Sequence, residues 1–130
     1  MTPKFRAWDK RENTMRDVAV LHFTKGGKVN SIEYWKTPSE LKSYHVRNLV
    51  LMQSTGLKDK NGVEIFEGDV LYYIPFESHI NDSIVVFEKG SFCTKMLRNG
   101  KLTSVRFIDS EEYEVIGNVW DNPELLEESE

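Results

Sequence analysis

The chain of 130 residues contains 29% charged and 39% hydrophobic residues, which is typical of a folded domain and argues against disorder. A chain of this length buries about two-thirds of its unfolded surface and needs neither a metal ion nor a disulfide to fold; its single cysteine, Cys93, excludes an intrachain disulfide. The net charge of −4 is concentrated in the last ten residues, and the first 120 sum to +1, which gives no general attraction to nucleic acid or anionic membranes.

Strand-like segments fill the first part of the chain. Residues 4–9 alternate apolar and charged side chains, which is the pattern of a half-buried strand. Residues 17–24 and 29–35 are apolar and β-branched, and the Lys-Gly-Gly-Lys segment between them predicts a β-hairpin because glycine adopts the positive φ of a tight turn. Residues 37–42 begin with a capping threonine and a proline, which predicts one short helix. Residues 46–53 predict the next strand.

The central segment, residues 55–73 (TGLKDKNGVEIFEGDVLYY), is dense in turn signals. Asn61-Gly62 predicts a type I′ turn, because Asn and Gly tolerate the positive φ that both central positions require. Gly68 predicts a second turn before an apolar strand over residues 70–76. We expect the segment to be a folding device rather than a binding loop.

Substitutions in the central segment distinguish these two interpretations. If it is a folding device, Gly62→Val destabilises the protein by forcing a β-branched residue to positive φ. Asp59→Ala and Lys60→Ala are then expected to leave the stability almost unchanged. If it is a binding loop, the two charge changes abolish partner binding in a protein of unaltered stability.

Short strands and turns continue to the C-terminus, at a spacing that favours a small antiparallel barrel or sandwich. Pro123 predicts a final helical turn that carries Leu125 and Leu126. We place an N-terminal hairpin unit, packed on or extending the barrel, in residues 1–46, and the barrel with its short acidic tail in residues 47–130. The strand-like segments after the central segment are residues 84–87, 91–97, 101–108 and 113–120.

No local motif predicts catalysis or metal binding. The three histidines are not spaced as metal ligands, and the sequence lacks nucleophile elbows and phosphate-binding loops. Asp59, Glu64, Glu67 and Asp69 lie close together; we favour structural turns, and the alternative is a carboxylate site for hydrolysis or for a divalent cation. We therefore expect no cofactor, no metal and no enzymatic activity.

Aromatic residues are the one compositional excess, at 12% of the chain. Most of them alternate with polar residues at strand period, which favours core packing. In one alternative, exposed rings such as Trp8, Trp35 and Trp120 serve self-association. In another, bases of a nucleic acid stack on aromatics, with basic residues such as Arg98 and Lys101 nearby. The candidate interaction surface comprises Trp8, Trp35, Lys58, Asp59, Lys60, Arg98, Lys101 and Trp120.

Three segments in order resemble the YopX family of phage and prophage proteins. They are KFRAWDK (residues 4–10), LMQSTGLKDKNGVEIFEGDVL (residues 51–71) and YEVIGNVWDNPELLEE (residues 113–128). The resemblance implies a β-rich protein with an SH3-like barrel, a phage or prophage gene in a bacterium, and a homo-oligomer of high order. It brings no catalytic residues.

These observations together predict a non-enzymatic protein that self-assembles and binds a host or phage macromolecule. The first alternative is a nucleic-acid-binding module that uses the barrel face, and the second is a small carboxylate-dependent hydrolase. The sequence has no apolar run of membrane-spanning length and no apolar signal-peptide core, so we expect a cytoplasmic protein with no membrane partner.

Overall fold

The computed structural model divides the chain into two compact units, Met1–Gln53 and Ser54–Glu130. Antiparallel strands dominate both units, with a few short 3₁₀ segments, which confirms the prediction of a mainly β fold. Residues 49–53, at the end of the first unit, pair with the first strand. In the part of the chain that the structure describes, no helix is long and apolar enough to cross a membrane. The described residues are 4–75, 79, 82–88, 90–97, 102–104 and 110–126.

The first unit is an antiparallel sheet with the strand order β4-β3-β2-β1-β5. Its core lies on one face of the sheet and is centred on Ala7, Ile32 and Tyr34, each at most 5% exposed. Ile32 lies opposite Leu21 on one neighbouring strand and opposite Tyr44 on the other, and directly opposed residues share a face. The strands are β1 (Phe5–Asp9), β2 (Thr14–Phe23), β3 (Val29–Thr37), β4 (Glu40–His45) and β5 (Leu49–Lys58).

The hairpin predicted between residues 17–24 and 29–35 is confirmed as β2 and β3. The Thr24 N–H donates to the Lys28 carbonyl oxygen at 2.7 Å, and the Gly27 N–H donates to the Thr24 carbonyl oxygen at 2.9 Å. Gly27 has a φ of +90°, so glycine supplies the left-handed residue that this turn requires.

The short helix predicted over residues 37–42 is wrong. The two residues after β3 form a turn, and β4 then pairs antiparallel with β3, so that Leu41 lies opposite Trp35. The side chain of Thr37 does cap, but its Oγ1 accepts the Ser39 N–H at 3.4 Å within a turn instead of at a helix N-terminus. Pairing with β3 therefore outweighs the local helix signal.

In the second unit the last part of β5 pairs with β6, and a separate sheet has the strand order β10-β9-β8-β7-β11. Ile65, Leu71 and Val85 form the buried core of the second unit, and Leu57 and Tyr113 pack against them. The further strands are β6 (Glu64–Phe66), β7 (Asp69–Tyr73), β8 (Ser83–Glu88), β9 (Ser91–Met96), β10 (Leu102–Ser104) and β11 (Tyr113–Asn118).

Most predicted elements of the second unit are confirmed. The strands expected over residues 84–87, 91–97 and 113–120 correspond to β8, β9 and β11. Of the strand expected over residues 101–108, only the part that forms β10 lies within the described residues. The expected final helical turn is the 3₁₀ segment Pro123–Leu126.

Gly117 lies at a β-bulge in β11 where the chain approaches Asn122 closely. A Cβ at this position would lie 2.5 Å from Asn122 Oδ1, which accepts the Asn118 N–H at 3.2 Å. We expect Gly117→Ala to lower the free energy of unfolding, measured by urea denaturation, by about 2 kcal/mol. Gly27→Ala is the control, because a Cβ there meets no atom within 4 Å and adds only the strain of positive φ. Equal losses in the two variants would contradict the steric explanation.

Candidate interaction surface

Residues 59–63 connect β5 to β6 in a tight loop. The Asp59 N–H donates to the Val63 carbonyl oxygen at 2.8 Å, and the Gly62 N–H donates to the Asp59 carbonyl oxygen at 3.0 Å. Gly62 has a φ of +80°, whereas φ of Asn61 is not positive. The predicted type I′ turn is therefore wrong, since this pattern belongs to a type I turn followed by a left-handed glycine.

The side chain of Asp59 forms hydrogen bonds within this loop and to the last strand, β11. Its carboxylate, 4% exposed, accepts the N–H groups of Asn61 and Val63 at Oδ1, at 2.8 and 2.9 Å, and the Val115 N–H at Oδ2, at 2.9 Å. A buried carboxylate that satisfies three backbone donors contributes to stability. The expectation that Asp59→Ala is almost neutral is therefore corrected.

Two other carboxylates of the central segment also bond to nearby groups of the fold. Asp69 Oδ2 accepts the Phe66 N–H at 2.8 Å, and Glu64 Oε2 accepts the Ser54 hydroxyl proton at 2.5 Å. Among the described residues, no group of three or more His, Cys, Asp or Glu side chains is arranged to hold a metal ion. The hydrogen bonds of Asp69 and Glu64 therefore serve the local turn and strand structure.

The three tryptophans considered as exposed rings differ in burial. Trp8 is only 6% exposed, which corrects its expected exposure and makes its ring unavailable for stacking. Trp120 is half-buried. Trp35, in the first unit, is 45% exposed. Trp35 is therefore the tryptophan best placed to contact a partner.

None of the charged candidates that the structure describes belongs to the same unit as Trp35. Lys58 and Lys60 are exposed and belong to the second unit, where they flank the buried Asp59. Arg98 and Lys101 lie outside the described residues.

The first unit exposes an apolar surface on the side of the sheet away from its core. Trp35 lies opposite Leu41 on β4, and Val20 on β2 lies opposite Glu33, which shares a face with Trp35 because side chains two apart on a strand point the same way. Val20, Trp35 and Leu41 are 39%, 45% and 40% exposed. We call this surface, defined by Val20, Trp35 and Leu41, the Trp35 face.

Polar residues border the Trp35 face. His22 Nε2 lies 2.7 Å from Glu33 Oε2. Ser31 lies opposite His22 on one side and opposite His45 on the other, which places all three on this face. An apolar centre with a polar border is the usual anatomy of a protein–protein interface.

The two units carry opposite net charges. Met1–Gln53 contains ten Lys and Arg against five Asp and Glu, a net charge of +5, whereas Ser54–Glu130 contains seven against sixteen, a net charge of −9. The net charge of +1 summed over the first 120 residues does not show this difference between the units. Net charge counted separately for each unit is the sequence signal that shows it.

A buried ion pair occupies the turn between β1 and β2. Asp9 is fully buried; Arg11 Nε and Nη2 donate to its two oxygens at 3.2 and 3.0 Å, and Arg16 Nε donates to Oδ2 at 3.4 Å. The Arg11 guanidinium lies 3.2 Å from the ring centre of Tyr44, and that of Arg16 lies 4.8 Å from the ring centre of Tyr34. Both arginines therefore form ion-pair and cation–π contacts within the first unit that stabilise its fold.

This arrangement changes the acidity of Asp9. Burial alone would raise its pKa, but hydrogen bonds from the Arg11 side chain and N–H, the charge of Arg11, and the bond from Arg16 outweigh burial. The pKa of Asp9 is held below its usual value of 3.8, because all these contacts favour the ionised form.

A family model described as YopX protein matches residues 4–127. The chain belongs to the YopX family. It is similar to the crystal structure of protein EF1440 from Enterococcus faecalis, with 34% identity and a TM-score of 0.74 over 98% of this chain and 99% of that one. It is also similar in fold to protein yopX from Bacillus subtilis, with 24% identity and a TM-score of 0.64 over 100% of both chains. No curated protein matches the chain.

Proposed function

We propose that this YopX-family protein is non-enzymatic and phage- or prophage-encoded, that it assembles with copies of itself in the bacterial cytoplasm, and that it binds a host or phage macromolecule. The observation that carries the proposal is the Trp35 face, which exposes three large apolar side chains on one side of the sheet. Grouped exposed apolar residues mark interaction sites, and tryptophan is enriched among the residues that dominate interface energetics.

The non-enzymatic part of the proposal is supported by the central segment. Its buried carboxylate, Asp59, has both oxygens occupied by backbone N–H groups, and Asp69 and Glu64 are bonded within the fold. Carboxylates used in this way are positioned for turn formation rather than for proton transfer to a substrate.

We also infer that the second unit is an SH3-like barrel. In its five-stranded sheet, β7 to β10 follow one another in sequence and β11 returns to pair with β7. The 3₁₀ segment Ser110–Glu112 directly precedes β11. A meander whose last strand returns to its first, with a bulge in that strand, is compatible with closure into a small barrel.

Light scattering on a sizing column, over a range of protein concentration, tests self-assembly. We expect the wild-type protein to have a native mass of several chains, and Trp35→Ser combined with Leu41→Ser to reduce it, because the apolar surface buried at the interface is lost. Val63→Ser is the matched control, since Val63 is 48% exposed but lies in the loop of the second unit.

Two outcomes would count against this proposal. A wild-type protein that stays monomeric at every concentration would rule out self-assembly. An oligomer whose mass is equally unaffected by the Trp35/Leu41 variant and by the Val63 variant would show that assembly uses a surface other than the Trp35 face.

A further inference from the structure

The first unit carries positive charge that its own acids do not neutralise. Arg11 and Arg16 are paired with Asp9 and Glu12. Its exposed cations without a carboxylate partner among the described residues are Lys10, Lys25, Lys28, Lys36, Lys42 and Arg47.

The tip of the β2–β3 hairpin combines two of these cations with an exposed ring. Phe23, at the end of β2, is 60% exposed. Lys25 and Lys28 are exposed on either side of the glycine pair. A Cβ at Gly27 would meet no atom within 4 Å, and a Cβ at Gly26 only Thr24 Oγ1 at 3.8 Å. A ligand can therefore approach the backbone of the tip closely.

We propose that this hairpin tip, residues 23–28, binds single-stranded nucleic acid. Lys25 and Lys28 pair with phosphates, and the Phe23 ring stacks on an unpaired base, which is the combination that single-strand binding proteins use. The negatively charged second unit does not attract the same polyanion. The inference rests on the proposed function for the existence of a macromolecular partner and names its chemical class.

Single-stranded nucleic acid is favoured over duplex because of Phe23. An exposed aromatic ring gains stacking energy only from a base whose own face is free, and bases in a duplex are already stacked on their neighbours. The lysines alone would bind either form, since their attraction to phosphate is independent of base pairing.

Fluorescence anisotropy of a labelled oligothymidine, measured at several salt concentrations, tests the inference. For the wild-type protein, we expect the logarithm of the association constant to fall linearly with the logarithm of the salt concentration. We expect the double variant Lys25→Glu/Lys28→Glu to bind more weakly at low salt, by about tenfold or more. The matched control is Lys58→Glu with Lys60→Glu, two exposed lysines beside the loop of the second unit. This control is expected to change the affinity by less than about twofold. Phe23→Ser is expected to weaken binding without changing the salt slope.

Several results would overturn the inference. These are no binding at low salt, equal weakening in the two lysine pairs, tighter binding of duplex DNA, or binding of the first unit's cations to anionic lipid vesicles but not to DNA. The native mass of each protein separates this inference from the proposed assembly. An oligomeric wild type that binds no DNA leaves assembly standing, and a monomer that binds DNA through the hairpin tip leaves this inference standing.

Discussion

Replacement of Asp59 with alanine is expected to lower the free energy of unfolding by about 3 kcal/mol, because three backbone N–H groups lose a charged acceptor. Two of them, those of Asn61 and Val63, belong to the loop, and the third, that of Val115, belongs to the last strand. The side chain is 4% exposed, so water does not readily replace the carboxylate. Urea denaturation followed by tryptophan fluorescence measures the change.

Two variants separate the effect of the carboxylate from that of the loop. Asp59→Asn retains one carbonyl oxygen for the loop N–H groups but directs an amide group at the Val115 N–H, so we expect an intermediate loss. Lys60→Ala changes an exposed side chain of the same loop and is expected to stay within about 0.5 kcal/mol of wild type. If Asp59→Ala were as mild as Lys60→Ala, the carboxylate would not hold the two elements together.

The positions of the turns in the central segment are predictable from sequence, but the type of the turn at Asn61-Gly62 and the long-range role of Asp59 are not. Gly62 and Gly68 both have positive φ, and a requirement for glycine is a local property that the sequence displays directly. Asp59 and Val115 are 56 residues apart. Which distant N–H group a turn carboxylate accepts depends on the packing of β11, and no local pattern specifies that packing.

The burial of the tryptophans depends on strand pairing rather than on residue type. Trp8 lies opposite Met15 on one side and Val50 on the other. Trp35 lies opposite Leu41 on β4, which is the edge strand of the first unit. On its other side Trp35 has no partner on β2, because the pairing of β3 with β2 ends at Tyr34. Ala7 and Asp9 flank Trp8 in sequence, and Tyr34 and Lys36 flank Trp35. Because each ring has one apolar and one charged neighbour, only the register distinguishes the buried ring from the exposed one.

The candidate site is only partly visible in the sequence for the same reason. Trp35 is named as a candidate ring, but its neighbours on the Trp35 face, Val20 and Leu41, come from β2 and β4. Leu41 was expected in a helix, and pairing with β3 instead places it opposite Trp35. A surface assembled from three strands becomes visible only once the strand order is known.

Removal of the charge of Asp9 is expected to have the second large effect on stability. Asp9→Asn keeps the shape of the side chain but leaves Arg11 and Arg16 without a charged acceptor, and we expect a loss of about 2 kcal/mol at pH 7. This is less than the full cost of breaking a buried pair, because the Arg11 side chain is 37% exposed and water can solvate it. Thermal or urea denaturation at pH 7 gives the difference.

Glu12→Gln is the matched control for this variant. Glu12 accepts from Arg16 in the same turn, but its side chain is 60% exposed, and exposed ion pairs contribute at most about 1 kcal/mol. A loss in Glu12→Gln as large as that in Asp9→Asn would mean that the charge balance of the turn matters and that the burial of Asp9 does not.

The low pKa of Asp9 predicts how this difference depends on pH. Because folding lowers the pKa of Asp9 below its usual value of 3.8, the folded protein binds a proton at this site less readily than the unfolded chain. The stabilisation is therefore complete above this usual pKa. It is lost as the pH falls through that value towards the lower pKa of the folded state.

The difference in unfolding free energy between wild type and Asp9→Asn should therefore be constant from about pH 7 to pH 5 and become smaller below about pH 4. Other carboxylates titrate in both proteins, so their contributions cancel in the difference. A gap that stays constant down to pH 3 would show that Arg11 and Arg16 do not stabilise the ionised form of Asp9.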